Sequence, residues 1–528
     1  MPTPKGFARA IIVLTTVTAA VMELIDTSIV NVALSDMSGS LGVNIEDISW
    51  VITSYAIANV IIIPLTGFLA EFFGRKNYYV VSMIIFTVAS YMCGQSTTLI
   101  EIIIWRFIQG VGGGALLSTS QAILFDAFSV KDRPIASGLF GMGIVLGPTL
   151  GPTLGGYLIE NYSWPLIFMV NIPVGIIATL LSLTFIEKKE GEGKKKKEMH
   201  IDYTGIILLA LGIGCLQYVL ERGETEDWFS SNYIRVAAVI AGAGIISFII
   251  YELSIKSPAV NLRVLGNRNL AFTTIFTYIV GLGLFTSVFV YPVLAQRVLG
   301  FTAYETGLSL LPPTLFTVIL MPFIGKIMSK GVSPLPFVIA GFVLFASFCF
   351  TASGVSPDVG KWDFFFPISL RAVGMSMVQL PLINQAVAGL EPKDYASGIS
   401  LNNMIRQLGG ASGIALANNY VAHRYVQHRS DLVSNIPDGS MQLMSRIHEL
   451  SQYITTKTGD AISVANAKAI GLINAAIDRQ AYYLSYLDTF RLIGLFFIAA
   501  LPLVLFLRTK KKSASEMAQT MKVAAEAH

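Results

Sequence analysis

The sequence predicts an all-α integral membrane protein: two six-helix halves with two extra helices between them, fourteen spans in all. Three observations lead there. Of 528 residues, 53% are hydrophobic and only 13% are charged, with a mean hydropathy of +0.64. Soluble domains carry about 25% charged residues, so this chain cannot clothe its apolar residues in a hydrated skin. Apolar stretches of ~20 residues, the length that crosses a bilayer, recur fourteen times. Finally, the two ends of the chain repeat one another at a period of about 260 residues.

The spans fall near 8–33, 48–71, 78–96, 99–121, 134–158, 165–186, 202–221, 233–253, 270–296, 305–328, 334–353, 363–389, 396–421 and 490–508. The first is preceded by Lys5 and Arg9, like a signal peptide, but its apolar run continues through Glu23 and Asp26 with no small-x-small cleavage site. It is read as a retained helix. Lys and Arg concentrate in every second loop: Arg75/Lys76, Lys131/Arg133, Lys188 to Lys197, Arg263/Arg268, Lys326/Lys330, Lys393 and the tail from Arg508. By the positive-inside bias these loops and both termini are cytoplasmic.

The expected organisation is an N-terminal half over 1–186, a cytoplasmic linker over 187–200, two extra spans over 201–253, a C-terminal half over 254–508 and a cytoplasmic tail over 509–528. The linker, with six Lys and four Glu, reads as a solvated tether. Residues 422–489 form the one long outward loop. Leu443, Ile447, Leu450 and Ile454, then Ile470, Ile473 and Ile477, recur at helical spacing and predict one or two amphipathic helices there.

The repeat is carried by short matches in the same order. Pro64 and Gly67 of the second span correspond to Pro322 and Gly325. Arg106 and Gln121-Ala122 correspond to Arg371 and Gln385-Ala386. Lys131-Asp132 with Ala136-Ser137-Gly138 corresponds to Lys393-Asp394 with Ala396-Ser397-Gly398. Parallel repeats of this kind place a site between the halves near the bilayer midplane.

Several function classes are excluded. A net charge of +4 over the whole chain argues against nucleic acid. Cys93, Cys215 and Cys349 sit in apolar runs without metal-binding spacing, and five histidines are scattered, so no metal or other cofactor is expected. ATP-driven pumping would need a phosphate-binding GxxxxGK[ST] loop, which the sequence lacks. A membrane-embedded transferase would need clustered acidic residues and His; Asp431, Asp438, Glu449 and Asp460 are too dispersed.

Motifs then narrow the class. Ile25 to Leu34 (IDTSIVNVAL), Gly67 to Lys76 (GFLAEFFGRK), Arg106 to Gly112 (RFIQGVG), Gly143 to Gly156 (GIVLGPTLGPTLGG), Asn171 to Gly175 (NIPVG) and Arg406 to Gly410 (RQLGG) stand at corresponding spans. Together they resemble the 14-helix drug:proton antiporter branch (the EmrB/QacA type) of the major facilitator superfamily, over nearly all of residues 10–508. The departures are Ile25, Ser28 and Ser35 in the first motif, and Glu71 and Phe72 in the second. The resemblance implies proton-coupled efflux of lipophilic drugs from the cell across its membrane, the inner one where there are two. It also implies a periplasmic adaptor and outer-membrane channel as partners in cells with two membranes. Export of one endogenous metabolite or lipid-like compound is the alternative.

Glu23 and Asp26 share one helix face, and carboxyls at bilayer depth are costly and functional by default. Arg106 lies ~10 Å below the outer end of its helix, about level with Asp26, so Asp26, Glu23 and Arg106 are the proton-coupling candidates. Asn31, Gln109, Arg371, Asn402 and Arg406 are the polar candidates for a substrate cavity. With two acids against three bases in the interior, neutral or anionic lipophilic substrates are favoured. Gly67, Glu71, Gly74 and Arg75 form the expected cytoplasmic latch. Gly143, Gly147, Gly151 and Gly155, with Pro148, Pro152 and Gly156, form a smooth stripe expected between the halves.

Overall fold

A computed structural model describes residues 6–129, 131–187, 202–255, 258–357, 360, 362–391, 394–437 and 440–506. The linker stretch 188–201, Lys393 and the tail beyond 506 lie outside the described residues. All regular structure among the described residues is helical. The N-terminal half contains α1 (Phe7–Leu41), α2 (Trp50–Phe73), α3 (Arg75–Gln95), α4 (Leu99–Asp126), α5 (Arg133–Asn161) and α6 (Asn171–Phe185), the last preceded by a turn at Leu166–Met169. The two extra helices are α7 (Tyr203–Arg222) and α8 (Asn232–Ser254). The C-terminal half follows as α9 (Arg268–Val293), α10 (Ala303–Ser329), α11 (Leu335–Ala352), α12 (Phe365–Gln385), α13 (Tyr395–Ser434) and α15 (Ile462–Ala500), with α14 (Met441–Thr458) interposed before the last.

Thirteen of these segments are long and apolar enough to cross a membrane. The remaining expected span, 396–421, is the inner part of α13, which falls short on hydropathy alone. Its polar residues need no lipid contact, because α9, α2 and α15 cover it and Asn402, Asn403 and Arg406 are buried. Lipid-facing helices show the opposite pattern: Ile176, Ile177 and Leu180 on α6, Val236 and Val239 on α8, and Ile319 and Phe323 on α10 are all exposed. A belt of this kind is stable only against hydrocarbon.

Two boundaries differ from expectation. Helix α1 runs on to Leu41 and stops at Gly42, whose φ of 66° is left-handed; the polar stretch after Ala33 hid this extension. More consequentially, 422–489 is not a loop joining spans but helical throughout most of its length. Helix α13 continues outward to Ser434, and α15 is a single 39-residue helix whose outer part holds Ile470 and Ile473. At 1.5 Å per residue α15 is ~58 Å long, about twice the hydrocarbon thickness. The two extensions are clasped: Arg424 and His428 bind Asp488, Tyr425 and Arg429 bind Asp478, and Tyr425 stacks on Tyr482 at 4.1 Å. Only α14 is a separate amphipathic helix, seating Ile447, Leu450 and Ile454 on Ala465 and Ala469.

The halves meet along α5 and α10. A Cβ on Gly325 would lie 2.5 Å from the carbonyl oxygen of Pro134, and one on Gly138 would lie 2.6 Å from that of Met321. Near the cytoplasmic ends Gly67 of α2 abuts Ser397 of α13, Ser137 donates to Asn384 at 2.8 Å, and Arg133 lies over the Tyr395 ring at 4.6 Å. The first helices of the two halves, α1 and α9, have no substantial contact.

This seal depends on missing side chains. Gly325→Val is expected to weaken the cytoplasm-closed state by about 1–3 kcal/mol through overpacking against fixed backbone. A cysteine placed at Asn384 should then react roughly fivefold faster or more with a thiol reagent in inside-out vesicles. Gly242→Val, where a Cβ meets open space, should leave that rate unchanged. Equal rates in the two variants would show that the α5–α10 approach does not hold the seal.

Candidate functional site

Helix α4 is built to let its neighbours close in. In its QGVGGG run, a Cβ on Gly110 would sit 2.6 Å from the Tyr55 carbonyl, one on Gly114 2.7 Å from that of Asn59, and one on Gly112 2.8 Å from the Phe86 amide nitrogen. Helix α2 therefore packs on one face and α3 on another, which sinks Arg106 to 1% exposure. Such a guanidinium must be met by acceptors. Asp26 of α1, fully buried, accepts from Arg106 Nη1 at 2.6 Å. Arg106 Nε donates to the Val51 carbonyl at 3.1 Å, and the guanidinium carbon stands 4.1 Å from the centre of the Tyr55 ring.

The second Asp26 oxygen is equally engaged. Gln109 Nε2 and Asn171 Nδ2 both donate to Oδ1 at 2.9 Å. Gln109 Oε1 in turn accepts from Arg106 at 2.8 Å, and Asn171 also donates to Ser90 Oγ, which donates to the Phe168 carbonyl. Five helices, α1, α2, α3, α4 and α6, thus contribute to one polar network. Gln109, expected at a substrate cavity, belongs to this network instead, because its position one turn from Arg106 turns it onto the same carboxylate. Asn171 stood in a motif but was not singled out; an amide opening an apolar helix was the available signal.

One turn deeper on α1, Glu23 is 2% exposed. Its Oε1 accepts from Asn59 at 2.9 Å and Tyr55 at 3.3 Å, while Oε2 has no hydrogen-bond partner among the described residues. Asn59 was missed by the sequence reading, although an asparagine inside VITSYAIANVIIIPL is the same signal that flagged Glu23.

A small pocket opens between the halves. Its polar lining is Arg406, Asn402, Asn403, Gln379 and Thr277, and Ile144 of α5 closes it from the other half. Thr277 donates to Asn402 at 2.9 Å; Asn403 donates across the interface to Ser118 at 3.1 Å. Asn402 and Arg406 therefore line the same pocket. Arg371 is not with them: it is buried near Tyr291 and Cys349. Asn31 lies exposed on the outer part of α1, away from this lining.

The latch residues also separate. Arg75 pairs with Asp126, the last residue of α4, and Gly74 makes the α2–α3 turn with φ 83°. Glu71 is exposed and joins no ion pair among the described residues. The Arg75 bridge thus ties helices within one half; at this end the halves touch through Gly67. The α5 stripe is corrected similarly. Gly143, Gly147, Gly151 and Gly155 face Val21, Leu24, Ser28 and Val32 of α1, inside the N-terminal half. Pro148, Pro152 and Gly156 are buried beside them. The face turned to the other half carries Gly138, Gly141 and Thr153, since helical spacing defines a face but not its partner.

A buried polar network in a two-fold repeated helix bundle, with a pocket between the halves, is the layout of a membrane transport protein. The profile of the Major Facilitator Superfamily matches residues 16–414, and the chain belongs to that family. It is similar to the multidrug export protein EmrB of Haemophilus influenzae, 32% identical over 86% of this chain and 88% of that one. It is similar also to EmrB of Escherichia coli strain K12, 30% identical over 92% and 93%. The fatty acid resistance protein FarB of Neisseria gonorrhoeae is 31% identical over 95% of this chain and 97% of its own. Among solved structures, the human organic anion transporter MFSD10 shares the fold with a TM-score of 0.58 at 12% identity, covering 94% of this chain and 99% of that chain.

If Asp26 and Arg106 hold one another, each single loss leaves a buried group uncompensated. Asp26→Asn and Arg106→Gln should each destabilise the purified protein by about 3–5 kcal/mol. The double variant should cost clearly less than the sum, read as unfolding midpoints in detergent. Strict additivity would mean the pair is not an energetic unit.

Proposed function

We propose that this protein drives efflux of lipophilic small molecules by exchanging them for protons, with Asp26 carrying the coupling proton. Multidrug export is the role named for the EmrB relatives, 30–32% identical over most of the chain. The observation that supports the coupling step is the enclosure of Asp26 by Arg106, Gln109 and Asn171. The ionised carboxylate uses every one of these donors. A proton on Asp26 cancels the charge that holds Arg106 and frees Gln109 and Asn171 to repartner, so proton load and helix packing are linked through one group. Helix α1 is suited to transmit the change, because it rides on the α5 glycine stripe while the other face of α5 meets α10.

Asp26→Asn keeps shape but cannot titrate. In liposomes with an imposed pH gradient, this variant is expected to lose gradient-driven efflux at least tenfold while retaining part of its substrate binding. Unchanged efflux would remove Asp26 from the coupling step and transfer the role to Glu23.

In cells with two membranes, we propose that the outer extension docks a periplasmic adaptor leading to an outer-membrane channel. Helix α14 packs chiefly on α15, and its Met441, Met444 and Tyr453 stand 60–84% exposed, which leaves an apolar surface for a partner. Replacing these three by Ser should leave transport in liposomes intact and abolish drug resistance in cells. Loss of both together would make the extension part of the transporter's own machinery.

A further inference from the structure

A second pair of carboxyls lies outside the Asp26 network, at the cytoplasmic foot of the two extra helices. Asp202 caps α7, its Oδ1 accepting from the Gly205 amide at 2.8 Å. Glu252, in the last turn of α8, accepts at Oε1 from the Val260 amide at 3.3 Å. The two residues are 5% and 0% exposed. Their other oxygens, Asp202 Oδ2 and Glu252 Oε2, are buried with no hydrogen-bond partner among the described residues. Buried polar atoms are normally satisfied, and a bare carboxylate oxygen is among the costlier exceptions.

Glycine brings the two acids together. A Cβ on Gly205 would collide with Asp202 Oδ2 and stand 2.6 Å from Glu252 Oε1, so both carboxyls crowd the space that a side chain would fill. Deeper along the same helices a Cβ on Gly244 would lie 2.8 Å from Gly212 Cα, which fixes the spacing of α7 and α8. The charges acting on Glu252 are those of Asp202 and of Arg263 in the turn that follows α8. Arg263 spends its Nη2 on the Leu253 and Ile255 carbonyls, at 3.0 and 2.7 Å. From α13, Asp394 reaches this turn only through Asn261, at 3.5 Å, and Glu71 of α2 is exposed.

We infer that Asp202 and Glu252 are a proton-binding site in which two carboxyls share one proton. A hydrogen on Asp202 Oδ2 is donated toward Glu252, and the pair keeps a single negative charge. Without it, two carboxylates this close and this buried repel one another with no cation between them. Binding takes one proton from the cytoplasm and forms one O–H bond; release returns that proton and leaves two anions. The site goes beyond the efflux reading and does not depend on it. Its place gives it consequence: Leu209 of α7 and Phe248 of α8 share one apolar cluster with Val60 of α2 and Leu401 of α13. Repulsion at the foot therefore acts on a layer that joins both halves.

The test compares infrared spectra of the full-length protein in nanodiscs at about pH 7. In the carbonyl-stretch region of protonated carboxylic acids, the wild type should show a band that is lost in Glu252→Gln and equally lost in Asp202→Asn. In each variant the new amide donates to the carboxylate that remains. A spectrum from which neither substitution removes intensity overturns the site. Thermal unfolding gives an independent reading. The folded pair holds a proton that the hydrated carboxyls of the unfolded chain have released, so stability falls as pH rises. From about pH 6 to about pH 8 the wild-type midpoint should fall relative to that of Glu252→Gln by about 2 °C or more. A difference between the two proteins that stays constant over this range overturns the inference as well.

Discussion

The structure is organised around the cost of placing charge at bilayer depth. Asp26 and Arg106 could not be buried singly, since an unpaired ion in the interior costs several kcal/mol. Their pairing at 2.6 Å brings α1 and α4 together and recruits Gln109 and Asn171 to complete the Asp26 shell. Much of the surrounding packing serves that closeness. The α4 glycines admit α2 and α3, and the α5 glycines admit α1. Small residues are how helices approach in lipid, where hydrophobicity gives no preference for protein over solvent.

The two buried charges of the repeat's second half are treated differently, and the contrast explains the asymmetry of the site. Arg106 donates to Asp26, Gln109 and the Val51 carbonyl, all inside its own half. Arg371, its counterpart by sequence, lies near Tyr291 and Cys349, and Arg406 turns its free nitrogens to the pocket. One half thus holds a closed ionic network and the other an open cation. Division of labour between halves follows from where the acidic side chains fall: α1 carries Glu23 and Asp26, whereas α9 carries neither acid.

Much of this was legible in the sequence, for physical reasons that also mark where reading stopped. Glu23, Asp26 and Arg106 stood out because charge in an apolar run is expensive. Their meeting followed from depth counted along two helices. The partner of the α5 glycine stripe was not legible, since spacing fixes a face and α5 has two faces in use. Asp126 was invisible as the partner of Arg75 because it lies 51 residues away on another helix. The helical spacing of Ile470 and Ile473 was legible, but their continuity with the last span was not, because hydropathy reports lipid contact and that outer half, clasped through Asp478, stands outside the apolar run.

We propose that Asp26 exchanges its proton as substrate occupies the pocket. The most direct test is proton release on binding, measured with a pH indicator in weakly buffered detergent solution as a neutral transported compound is added to wild type and to Asp26→Asn. Release should saturate with the compound in wild type and be absent in the variant. Equal release from both proteins, with binding retained, would contradict it.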